Sequence, residues 1–208
     1  MSGPWAAQQS RRGPNVMTAR ARRLLFGIAV CLALLALGAP GARFGAVAPA
    51  AAGEASREYL IKAAFLYNFA KFTEWPAGSF PDSAAPLDIC VFGEDPFGGA
   101  LDSIAGKTIR GRRVAVHRVA SIEAGAACHL LFISASEATR LAGILDSLRG
   151  RPVLTIAEMP GFARSGGIIN LKTNPNDRIR FEINVGIAKR VGLRFSSKLL
   201  DLAEITSN

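Results

Sequence analysis

Cysteine, histidine, tryptophan and tyrosine are scarce in this chain: three, two, two and two among 208 residues. That poverty leaves little from which to build a metal centre. His129 adjoins Cys128, but no second Cys/His cluster stands at ligand spacing, so no zinc site is expected. Long apolar runs are also few. Residues 24–37 hold no charge but fall short of the roughly 20 residues a membrane-spanning helix needs. Acidic residues are missing altogether from residues 1–52, which carry six arginines.

These absences read together as an export leader. Arg20, Arg22 and Arg23 precede the apolar run, and an Ala/Pro/Gly-rich stretch follows it. Small residues at Ala48 to Ala52 suit cleavage, so residues 1–52 are expected to leave and the mature chain to begin near Ala51 or Gly53. Translation from Met17 would give a compact basic start. Three other readings compete. A retained anchor would need a longer run. A lipoprotein would use Cys31, yet bulky Val30 stands where a small residue is wanted. A twin-arginine signal is suggested by Arg22-Arg23, but no cofactor motif downstream calls for folded export. The general secretory route is preferred.

The leader also accounts for the charge. Lys and Arg outnumber Asp and Glu by 25 to 16, a net of +9 that suggests a nucleic-acid partner. Without residues 1–52 the balance is 19 basic against 16 acidic, and that inference lapses. Residues 53–208 suit one domain with a single core. Cys90 and Cys128 form an even pair in an oxidising compartment, where a disulfide is the default and two buried thiols the alternative.

Periodicity predicts the elements. Ser56 is expected to cap a helix over residues 57–73, stopped by Trp75-Pro76. Apolar side chains nearly encircle it, and Lys62, Asn68 and Lys71 share no stripe. Such a helix is buried by several layers or covered by a partner, a second copy of the chain being one candidate. Strands are expected at 87–92, 114–119, 129–133 and 153–156, with a short helix at 97–104 and a basic turn at 106–112. Ser136 is expected to cap a helix over 137–148. Residues 168–171 and 179–185 read as a hairpin joined at 173–177, with Arg180, Glu182 and Asn184 on a polar face. A last helix is expected over 187–203. The succession implies an α/β sandwich of three layers, with a mostly parallel central sheet and an antiparallel edge hairpin.

Catalytic motifs are hard to find. The Gly93–Gly99 turn lies where dinucleotide folds hold phosphate, but it lacks Gly-x-Gly-x-x-Gly, and Glu94 and Asp95 would repel an anion. No Gly-x-Ser-x-Gly or His-Glu-x-x-His occurs, and Ser196-Ser197-Lys198 lacks Ser-x-x-Lys spacing. Asp88, Glu94 and Asp95 cluster near one strand end with no partner set. His117 and His129 fit structural roles, and Arg110, Arg112 and Arg113 a solvated face. No enzyme and no cofactor are expected. The loop of residues 159–167 carries Phe162 and Arg164, side chains common as interface anchors, and runs into Ile169. These three are the candidate partner-binding residues. A small-molecule receptor using the 93–99 strand end is the alternative.

Five blocks in order carry a resemblance. They are Lys62-Ala63-Ala64-Phe65-Leu66-Tyr67-Asn68-Phe69-Ala70-Lys71-Phe72-Thr73-Glu74-Trp75-Pro76, Cys128-His129-Leu130-Leu131-Phe132-Ile133-Ser134, Gly167-Ile168-Ile169-Asn170-Leu171, Arg180-Phe181-Glu182-Ile183-Asn184 and Ser196-Ser197-Lys198-Leu199-Leu200-Asp201-Leu202-Ala203. Together they resemble the YfiR-like periplasmic proteins over residues 57–205. The resemblance implies a Rossmann-like fold and a regulator. Its best-known relatives repress an inner-membrane diguanylate cyclase by binding its periplasmic sensor region, lowering cyclic-di-GMP and biofilm formation. In some systems an outer-membrane lipoprotein sequesters the repressor. The family occurs in varied gene contexts, so another transmembrane sensor could stand in the cyclase's place. Cys90 and Cys128 match a family cysteine pair. A second pair known in that family is absent from residues 159–167, so redox control through it is not implied.

Overall fold

A computed structural model describes residues 49–173 and 178–206, with side chains from residue 57 onward. The apolar run of the expected leader and residues 174–177, where a hairpin connection is expected, lie outside the described residues. Among these residues no helix is long and apolar enough to cross a membrane.

The first described element is helix α1, Pro49–Lys71. It begins earlier than the Ser56 cap suggested. Pro49 is preorganised for a first helical turn and an alanine run follows, so Ser56 lies inside the helix. Thr73 ends it by donating its hydroxyl to the Phe69 carbonyl at 2.6 Å. Ala63, Leu66, Phe69 and Ala70 are buried against the sheet. Phe69 meets Phe181 edge-on, with ring centres 4.9 Å apart.

Eight strands form one mixed sheet in the order β10-β8-β7-β6-β5-β2-β4-β3. The parallel centre is β4 (Arg112–Val119), β2 (Leu87–Phe92), β5 (Leu130–Ile133), β6 (Leu154–Ala157) and β7 (Ile169–Thr173). Every residue of β5 and β6 is buried, as central parallel strands require. The antiparallel hairpin partner is β8, Ile179–Asn184. It lies one strand in from the edge, because β10 (Glu204–Thr206) pairs parallel outside it. At the other edge the basic turn proves to be a second hairpin. β3, Thr108–Ile109, pairs with the start of β4 around Arg110 (φ 50°) and Gly111 (φ 85°). Two consecutive positive φ angles give the tight turn whose twist suits a two-residue hairpin.

Two apolar layers sandwich the sheet. On one side lie α1, a 3-10 turn over Gly98–Ser103 and the C-terminal helices. On the other, Leu141, Ile144, Leu145 and Leu148 line the face of α3 (Leu141–Ser147) as expected, beside α2 (Ile122–Gly125). The cap of this region is Ser134, which precedes a 3-10 turn over Ala135–Arg140. Ser136 instead accepts a hydrogen bond from the Glu94 amide at 3.0 Å.

The expected last helix is broken. Asn184 caps α4, Val185–Arg190, and Gly192 (φ 79°) ends it. The Leu193 amide bonds the Ala188 carbonyl and the Gly192 amide that of Lys189, a closure that a left-handed glycine permits. The chain then forms β9 (Arg194–Phe195), antiparallel to β1 (Thr73–Glu74), and α5 (Ser197–Leu200).

Candidate functional site

Residues 158–167 leave the carboxyl end of β6, cross the molecule and return into β7. Side chains of β7 and β8 hold them. The Met159 amide donates to Asn170 Oδ1 at 3.0 Å, and Asn184 Nδ2 donates to the Ala163 carbonyl at 2.8 Å. Within the loop, Ser165 bonds Gly161 and Gly167 bonds Phe162. Gly161 and Gly166 take positive φ angles there.

Below the start of the loop lies a buried cation. Lys62 of α1 is 2% exposed and reaches Glu158 at 2.5 Å and Glu58 at 2.6 Å. The single hydroxyl proton of Thr173 of β7 is shared between Glu58 at 2.9 Å and Glu158 at 3.2 Å. Burial pulls the Lys62 pKa down, but the hydrogen bonds it donates to Glu158 and Glu58, with the nearby negative charge, outweigh this and the net shift is upward. Lys62 in turn lowers the pKa of Glu58. The ammonium therefore stays charged and ties α1 to the loop and to β7.

A second chain of polar groups runs across β7 and β8. Asn170 Nδ2 donates to Glu182, which also pairs with Lys172 at 3.0 Å, and Lys172 reaches Glu204 of β10. Hydrogen bonding to Glu204 leads the upward shift of the Lys172 pKa. Glu182 and Asn184 are buried, at 4% and 0% exposure, contrary to the solvent-facing side that alternation suggested. The loop covers that face, and its backbone takes part of the hydrogen bonding that water would supply.

The three candidate partner-binding residues occupy different depths. Phe162 is fully buried, in the same apolar layer as Phe92, Leu131 and Ile144. Gly167 makes room for it: a Cβ there would stand 2.1 Å from the ring. Ile169 is fully buried in β7. Arg164 is exposed on the loop, next to exposed Ser165 and near Pro160. Cys90 and Cys128 form a disulfide across β2 and the lead into β5, with Cα atoms 6.2 Å apart.

Sequence reasoning missed the clamp of Glu158, Asn170, Glu182 and Asn184. One signal was available: Lys62, set within an otherwise apolar helical face, needs a carboxylate from elsewhere.

The other polar groups have structural work. His129 is stacked on Phe80, with ring centres 4.1 Å apart. It accepts from the Asp88 amide at Nδ1 and donates from Nε2 to the Ser79 carbonyl, which fixes the tautomer. His117 contacts the Asp88 carboxylate at 2.9 Å. Arg112 donates to the Asp82 and Ala85 carbonyls, and Arg110 pairs with Glu74. The strand end at Gly93 is filled, since an added Cβ would meet Ser136 at 2.5 Å and Glu137 at 2.8 Å. Among the described residues, no group of three or more His, Cys, Asp or Glu could hold a metal ion.

The fold, the disulfide and the clamped loop are joined by one finding from known proteins. The family model described as YfiR/HmsC-like matches residues 59–204, well over half of the sequence, and the chain belongs to the YfiR/HmsC-like family.

Proposed function

We propose that this protein is a periplasmic regulator that binds the periplasmic sensor region of an inner-membrane diguanylate cyclase and represses it. Cyclic-di-GMP and biofilm formation fall as a result. The observation that carries this reading is the family match over residues 59–204. The basic and apolar leader supports export. An exported protein cannot touch a cytoplasmic nucleotide, so its effect must pass through a membrane-spanning partner.

The partner contact is assigned to the loop of residues 158–167. Arg164 offers a charge at its exposed rim, while Phe162 and Ile169 hold the loop from below. Catalysis plays no part in this scheme. An outer-membrane lipoprotein that sequesters the repressor fits the same surface. The exposed Leu60 and Ile61 of α1 offer an apolar face to a second copy.

Crosslinking in intact cells, followed by pull-down from membranes, should recover a transmembrane cyclase or other sensor. Arg164→Glu should reduce that yield several-fold, because it reverses an exposed charge. Deletion of the gene should raise cyclic-di-GMP and adhesion. Unchanged levels of both under oxidising and reducing stress would sink the proposal.

A further inference from the structure

We propose that a cleft away from the clamp binds a small amphipathic anion, a molecule with an apolar body and one carboxylate or phosphate head. The cleft opens where β6 and β7 begin, between the carboxyl ends of α3 and α4. Its volume is about 710 Å³, within the range of small-ligand sites. Leu148, Val153 and Ile168 supply a floor of buried apolar side chains, and Ile187 one wall. At the base, the Thr155 hydroxyl accepts the Ile168 amide at 3.1 Å and keeps its own O–H as a donor.

The rim is cationic. Arg149, Arg151 and Arg190 all line the cleft. Arg149 is paired with Asp146, a carboxylate that also lines the cleft. Arg151 and Arg190 are exposed and make no side-chain hydrogen bond or ion pair among the described residues. Two uncompensated guanidinium groups beside an apolar floor leave both a charge and a surface to be matched. A guanidinium fork pairs two parallel N–H groups with a carboxylate or phosphate, and the floor shields the ligand's body from water. A neutral apolar molecule would match only the floor, and inorganic phosphate only the rim. Ser165 and Gly166, which close the partner-facing loop, also border the cleft. This assignment goes beyond the repressor reading and does not depend on it.

Calorimetric titration of the purified protein with decanoate and with phenyl phosphate tests the site, one arm for each head group. At least one should bind saturably at one per chain, more tightly than decanol or inorganic phosphate by about tenfold. Paired Arg151→Gln and Arg190→Gln changes should weaken that binding at least about tenfold with no change in thermal midpoint, whereas Arg→Lys at both positions should retain most of it. Amide shifts on titration should centre on Gly150, Gly166 and Ile187. Failure of both anions to bind, equal affinity for decanol, or binding unaltered by the glutamine pair would overturn the proposal. Capture of an acidic peptide in place of either small anion would do so too. None of these outcomes bears on whether the membrane partner is recovered by crosslinking.

Discussion

At the scale of single residues, buried polar groups decide most of what is particular to this protein. Lys62 is the clearest case. Removed from water, an ammonium survives only with carboxylates beside it, and Glu58 and Glu158 provide them. His129 illustrates the opposite balance. Burial lowers its pKa from the ordinary value of 6.5, and the contacts with the Ser79 carbonyl and Asp88 only partly offset this. The unfolded chain therefore binds a proton more readily than the folded one. Folding stability should be full above pH of about 6.5 and decline as pH falls through the lower folded-state value. Urea unfolding between pH 7.5 and pH 5 measures the effect. His129→Gln should flatten the decline over that window, and an unchanged slope would show that another group is its source.

At the scale of elements, the loop of residues 158–167 depends on a single missing side chain. The Phe162 ring fills the space where a Gly167 Cβ would stand, so Gly167→Ala must push either the ring or the strand entry aside. Overpacking of this kind costs about 1–3 kcal/mol. Denaturant unfolding should show that loss in the single variant. In a Phe162→Leu background the penalty should shrink, since the smaller side chain leaves the space open, and additive losses would show that the two positions do not compete for it. The same loop explains why alternation misled at β8. Alternation reports which residues share a face, and Arg180, Glu182 and Asn184 do share one. Whether that face meets water depends on what the chain lays over it later. The C-terminal helix was lost for a related reason: Gly192 lies in a stretch that reads as continuous helix until its positive φ, packed against Pro76, ends it.

At the scale of the whole molecule, the sheet and the disulfide act together. Cys90–Cys128 joins β2 to the lead into β5, positions 38 apart in the sequence. In the chain-entropy model that constraint stabilises the fold by roughly 3–4 kcal/mol. Cys90→Ala with Cys128→Ala should lower the free energy of unfolding by about that amount, read from urea titration, while the far-ultraviolet spectrum stays the same. A loss well below 1 kcal/mol would mean that the unfolded chain is already compact around these strands.

The sequence by itself determined the parallel centre of the sheet, the apolar face of α3 and the cysteine pair. Each rests on a pattern in the chain itself: buried strands of branched residues, helical spacing, an even count of cysteines beyond residue 52. It also carried the family blocks from Lys62 to Ala203. Only the tertiary structure decided that Lys62 meets Glu158, that Glu182 and Asn184 are covered, that β10 seals the hairpin and that Arg151 and Arg190 share a cleft. These are encounters between residues far apart in the chain. No local period records them, because the energy of a buried charge or an empty cleft is set by whatever the fold brings alongside.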